Sequence, residues 1–137
     1  MSLGSLEAFL NPVRVENKKV IVSNRFKDKD GNLVPFEIRP ITQEENKMLI
    51  KKYTKRDKKG QEYFDRAEYI SELTASAVVF PDLTNAELQK AYGVLGASAL
   101  LQKMLYVGEY AELTLAVQEL SGLDADINDD IEEVKNA

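Results

Sequence analysis

The spacing of apolar residues changes at Pro40, and that change decides the architecture. Before Pro40 they recur at every second position; after it they recur at every third or fourth. In the first segment Val20, Val22 and Phe26 alternate with Lys19, Ile21, Ser23 and Arg25, and Val34, Phe36 and Ile38 alternate with Leu33, Pro35, Glu37 and Arg39. Between the two runs lies Asp28-Lys-Asp-Gly-Asn32, with Gly31 free to take a positive φ. The pattern predicts an antiparallel β-hairpin with one apolar face. Pro35 lacks an N–H, so its strand is expected at a sheet edge or at a bulge. Val13 and Val15 are a candidate third strand.

After Pro40 the signals are helical. Thr42 with Glu45 forms a capping box that opens a helix to about Lys55. Lys51 to Gln61 is strongly basic, ends at Gly60, and is expected to be a mobile loop. Asp65 with Glu68 makes a second box, with Phe64 and Tyr69 at staple spacing. That helix buries Tyr69, Ile70, Leu73 and Ala77 and stops before Pro81. Thr84 with Glu87 makes a third box, stapled by Leu83 and Leu88 and closed by Gly93. Gly96 starts a helix lined by Leu100, Leu101, Met104 and Leu105. Gly108 is expected to break the chain before a last helix of Tyr110, Leu113, Val117 and Leu120, closed by Gly122. The expected fold class is therefore α+β, with an N-terminal hairpin packed on a bundle of four to five short helices.

Two ends stand apart from this body. Leu3, Leu6, Phe9 and Leu10 share one face of a short helix stopped by Asn11-Pro12. Short helices are marginal without packing, which favours a turn docked on the body over an arm that reaches a neighbour. After Gly122, six acids fall among fifteen residues, with only Leu123, Ile127, Ile131 and Val134 large and apolar. The division expected is one domain over 1–122 and a flexible acidic tail over 123–137.

Composition narrows the chemistry. The 137 residues contain no cysteine and no histidine. Disulfides, thiolate metal sites, the commonest general base and the usual zinc ligand are thereby removed. No nucleophile–base motif stands out among the remaining residue types. Gly93-Val-Leu-Gly96 lacks both the preceding strand and the third glycine of a dinucleotide loop, and there is no P-loop lysine. Asp28-Lys-Asp30-Gly31 places glycine too early for a calcium loop. No catalytic residue, metal ligand or cofactor is assigned. No apolar run is long enough to span a membrane, and the start lacks the features of a signal peptide.

Charge is unevenly distributed. Residues 1–59 carry a net +6 and residues 60–137 a net −11. This polarity leaves self-association open, a basic end of one copy meeting an acidic end of another. Lys47, Lys51, Lys52, Lys55, Arg56, Lys58 and Lys59, with Tyr53 and Tyr63 beside them, form the best nucleic-acid candidate. The acidic balance of the whole chain and the lack of a nucleic-acid module argue against that partner and favour a solvated basic face, and after it a contact with an acidic protein surface.

Several runs together resemble a known family. They are Phe9-Leu-Asn-Pro-Val13, Arg25-Phe26 through Phe36-Glu-Ile-Arg39, Ile41-Thr-Gln-Glu-Glu-Asn46, Lys52-Tyr-Thr-Lys-Arg56 and Val79-Phe-Pro-Asp-Leu83. Ala86-Glu-Leu-Gln89, Tyr92-Gly-Val94, Met104-Leu105 and Gly108-Glu-Tyr-Ala111 continue the likeness, which spans residues 6–122. The chain resembles the XkdN-like phage tail assembly chaperones of phages and defective prophages. The resemblance implies a non-catalytic protein in the cytoplasm of a bacterial host. It would bind the tape measure protein, keep that long helical chain soluble, and be absent from the finished tail. A structural tail completion or connector subunit, and a nucleic-acid-binding regulator, are the alternatives. Met104, Leu105, Tyr106 and Tyr110 cluster around Gly108 and are the candidate protein-binding residues.

Overall fold

The computed structural model describes residues 2–123. Ile127, Ile131 and Val134, and with them the expected flexible tail, lie outside the described residues. A three-stranded antiparallel sheet is built from β1 (Lys18–Val20), β2 (Phe36–Ile38) and β5 (Val78–Phe80), in the order β1-β2-β5. β1 and β2 form the expected hairpin, with Val20 opposite Phe36 and Lys18 opposite Ile38. Beyond the strands its two limbs stay joined. The Val34 amide donates to the Phe26 carbonyl at 2.8 Å, and the Asp28 amide to that of Asn32 at 2.9 Å. The Asp28 carboxylate accepts from the amides of Asp30 and Asn32, and Gly31 takes φ 82°.

The third strand differs from the expectation. The helix leading to Pro81 ends at Ala77, and the next three residues pair with β2. Val78, Val79 and Phe80 are β-branched or aromatic, and Phe80 precedes a proline; both features disfavour continuing the helix. β2 is therefore the middle strand, and Pro35 avoids the ladder by lying one residue before it. Val13 and Val15 form no strand among the described residues and are exposed.

The helices are α1 (Ser2–Leu10), α2 (Gln43–Lys52), α3 (Arg66–Ala77), α4 (Ala86–Ala91), α5 (Ala97–Met104) and α6 (Val107–Leu120). α2 opens with the full Thr42–Glu45 capping box, and Asp65 caps α3 by accepting from the Glu68 amide. The Phe64 and Tyr69 rings meet at 5.2 Å across the same helix start. At α4 the cap is Asn85, one residue later than expected, because the Thr84 hydroxyl is bonded to Asp82 instead. Gly108 is not the break. It sits in the first turn of α6, and the chain turns at Leu105-Tyr106, where the Tyr106 amide donates to the Glu109 carboxylate.

The core lies where one sheet face meets the helices. Phe36 and Ile38 of β2 pack among Leu73 of α3, Leu100 and Leu101 of α5, and Leu113 and Val117 of α6, all buried. The basic stretch is not a loop. β3 (Thr54–Arg56) and β4 (Glu62–Phe64) form a second antiparallel hairpin, closed by Asp57 and by Gly60 at φ 81°.

At the N-terminus the docked turn gives way to an arm. Every residue from 5 to 19 is exposed, Phe9 to 83% and Val13 to 98%. The run after Pro12 joins α1 to β1 without helix or strand, and Leu6, Phe9 and Leu10 on the apolar side of α1 stay exposed.

Candidate functional site: an apolar groove beside the hairpin

A groove of about 360 Å³ opens between the hairpin, the end of β5, α4 and the end of α5. Its floor is Phe36 and Met104, both buried. Phe26, Val34 and Pro35 form the hairpin wall, the Phe26 ring meeting Phe36 edge-on at 5.9 Å. Phe80, Pro81, Leu88 and Tyr92 form the other wall, and Phe80 remains 52% exposed at the rim. A smaller hollow lined by Lys19, Val34, Pro35, Glu37 and Phe80 continues it along the sheet. Aromatic and aliphatic walls of this kind suit an apolar side chain carried on a partner's helix.

Arg25 fixes one rim. Its guanidinium grips both oxygens of Glu109, at 2.9 and 2.5 Å, and donates to the Met104 carbonyl at 3.0 Å. The same group lies 5.0 Å from the Phe26 ring centre and 4.6 Å from that of Tyr106. A two-pronged pair of this geometry is stronger than a single ion contact and orients both partners. It ties the hairpin to the α5–α6 junction. The hydrogen bonds from Arg25 hold the Glu109 carboxyl down at about 2. Among the described residues the charged side chains lining the groove are Arg25 and Lys27.

The four residues expected to bind a partner are divided by the structure. Met104 is 6% exposed on the groove floor, and Tyr106 is 71% exposed, stacked on Arg25 at the rim. Leu105 is buried in the core. Tyr110 is partly buried, with its hydroxyl 3.4 Å from the Ser71 hydroxyl of α3. Phe26, Phe80 and Arg25 belong to the site but were not among the expected residues. Phe26 reads in the sequence as core because it shares the hairpin's apolar face. Phe80 reads as the end of a helix.

A larger opening, of about 580 Å³, lies between α3 and the start of α5 and is lined in part by Lys52, Tyr53, Glu68, Glu72 and Asp82. Lys52 and the Tyr53 hydroxyl both bond Glu72. In the adjoining hairpin Lys55 pairs with Asp65 at 3.2 Å and Arg56 with Glu62 at 3.0 Å. Three members of the basic cluster thus spend their charge on neighbouring acids, which weakens the cluster as a phosphate-binding surface. Among the described residues no three acidic side chains converge as metal ligands would, and no helix is long and apolar enough to cross a membrane.

Known proteins share this chain's sequence and fold. The family model of the phage XkdN-like tail assembly chaperone protein matches residues 6–135, so the matched span runs on into the acidic end. The phage-like element PBSX protein XkdN of Bacillus subtilis (strain 168) is 32% identical over 129 residues, covering 90% of this chain and 87% of that protein. The uncharacterized protein YqbN of the same organism matches with the same identity and coverage. The crystal structure of YqbN superposes with a TM-score of 0.74 at 29% identity, covering 85% of this chain and 96% of that one.

Proposed function

Because the chain belongs to the XkdN-like family of phage tail assembly chaperones, we propose that it binds the tape measure protein of its phage and keeps that protein soluble while the tail is built. The observation that carries this reading is the groove: an open apolar trough with a rigid basic rim, lined by Met104 on its floor and adjoined by Tyr106. A long helical client presents apolar side chains at three- and four-residue spacing, and such a trough takes one or two of them at a time. One groove of this size gives modest affinity. Many copies along one client chain supply the strength, and modest affinity lets tube subunits displace each copy. Release in this scheme leaves the finished tail without the chaperone.

The test is co-expression with the tape measure protein. The wild-type chain is expected to raise the client's soluble fraction, and Phe80→Asp is expected to abolish that gain while circular dichroism shows an intact fold. Equal client solubility with and without the chaperone ends this reading.

A further inference from the structure

The N-terminal arm and the groove fit each other, and the chain's own geometry separates them. Leu6, Phe9 and Leu10 stand at i, i+3 and i+4 on α1, all exposed, and Val13 continues the series past Pro12. That spacing is how an amphipathic helix enters an apolar trough. Glu7 is the one ionisable side chain between residues 2 and 13, whereas among the described residues the groove is lined by Arg25 and Lys27 and by no acid. The arm is apolar with one acid; its receptor is apolar, with Lys27 as the lining cation outside the Arg25–Glu109 pair.

The arm does not occupy its own receptor, since Leu6, Phe9 and Leu10 all stand exposed. The groove lies at the end of the sheet where Val20 faces Phe36, and the arm departs from the other end, where Lys18 faces Ile38. The Asn17 side chain donates to the Glu37 carboxylate at 3.1 Å and anchors this exit. Residues 11–17 reach at most about 25 Å when extended, enough to span to an adjacent molecule. We infer that the arm of one copy docks in the groove of a second copy, with Phe9 entering between Phe26 and Phe80 and Glu7 meeting Lys27. The contact joins two different surfaces, so it is heterologous and propagates head to tail unless geometry closes it. The groove is the one offered above to the client, and the client therefore competes with the arm. The homotypic contact itself needs no client.

Sedimentation velocity on the full chain over a wide concentration range tests this without any partner. Wild type is expected to grow from 15.4 kDa to multiples of that mass as concentration rises. Phe9→Asp, which alters only an exposed arm residue, and Phe80→Asp, which alters only the groove rim, are each expected to stay monomeric. Lys27→Glu is the milder groove variant should Phe80→Asp disturb the fold, and pairing it with Glu7→Lys is expected to restore association. An equimolar mixture of the arm variant and the groove variant retains one good arm and one good groove, and is expected to form a dimer and stop there. A wild-type chain that stays monomeric throughout overturns the inference, as does a mixture that stays monomeric. Retained association in Phe9→Asp also overturns it. Failure here leaves the co-expression result untouched.

Discussion

At the residue scale, Arg25 and Glu109 concentrate the most structural consequence in one contact. Glu109 is held at about 2, against about 4.5 for an ordinary glutamate, chiefly by the hydrogen bonds from Arg25. A carboxyl depressed by folding contributes stability above its unfolded value and loses it as pH falls toward the folded one. The urea midpoint is therefore expected to fall between pH ~4.5 and ~2. Glu45, held at about 2 by Arg39, adds to the same window. Glu109→Gln is expected to lower the midpoint at pH 7 and to flatten the acid limb, leaving the part due to Glu45 and to Asp65, Glu72 and Asp82, whose carboxyls are also lowered. An acid limb unchanged in the variant would show that the pair adds nothing. Met104 and Tyr106 are expected to part company in the same way that their burial does. Met104→Ala removes a buried side chain and is expected to cost about 2–4 kcal/mol in chemical denaturation. Tyr106→Ala is expected to change stability little and to weaken client capture. The cluster of four was legible in sequence because the residues are adjacent. Their separation was not, since a turn at Leu105-Tyr106 sends successive side chains to opposite sides.

At the scale of elements, the two hairpins use one turn. Asp28-Lys-Asp-Gly31-Asn32 and Asp57-Lys-Lys-Gly60-Gln61 have the same hydrogen bonds: an aspartate carboxylate accepting from the amides two and four residues on, and a glycine with φ near +80°. The first was readable as a hairpin because apolar alternation flanks it. The second was hidden because β3 and β4 are three residues each and mostly charged or exposed, so no period-two signal survives. The turn chemistry alone, matched against the first copy, would have found it. Nothing crowds a Cβ at Gly60, so Gly60→Ala is expected to cost only the left-handed backbone, about 1–2 kcal/mol, with hydrogen exchange quickening across residues 54–64 first. A variant as stable as wild type, with unchanged exchange there, would show that the turn tolerates a side chain. The helices were legible from caps and periodicity together. β5 was not, because Val78-Val79-Phe80 continues an apolar run; its β-branched residues and the following proline argue against helix, but only the pairing with β2 shows that a strand replaces it.

At the scale of the whole molecule, the charge asymmetry is partly resolved inside the fold. Among the described residues, Arg25–Glu109, Lys52–Glu72, Lys55–Asp65 and Arg56–Glu62 each join the basic first segment to the acidic second; Arg39–Glu45 lies within the first. Among the described residues, then, part of the +6 and −11 read from the sequence is spent within the fold, where four cations of the first segment meet four acids of the second. The chain order could not show this, because it gives charge along a line and not across an interface. The consequence separates two kinds of self-association. If copies met through opposite poles, raising salt would disperse them while hardly touching the fold. If they meet through Phe9 and an apolar groove, salt weakens only the Glu7–Lys27 contribution and leaves the apolar burial in place. Going from low to high sodium chloride, the urea midpoint is expected to fall slightly as the cross-segment pairs are screened, while the sedimenting species keeps most of its mass. Dispersal to monomer at unchanged urea midpoint would assign association to charge and remove the arm from it.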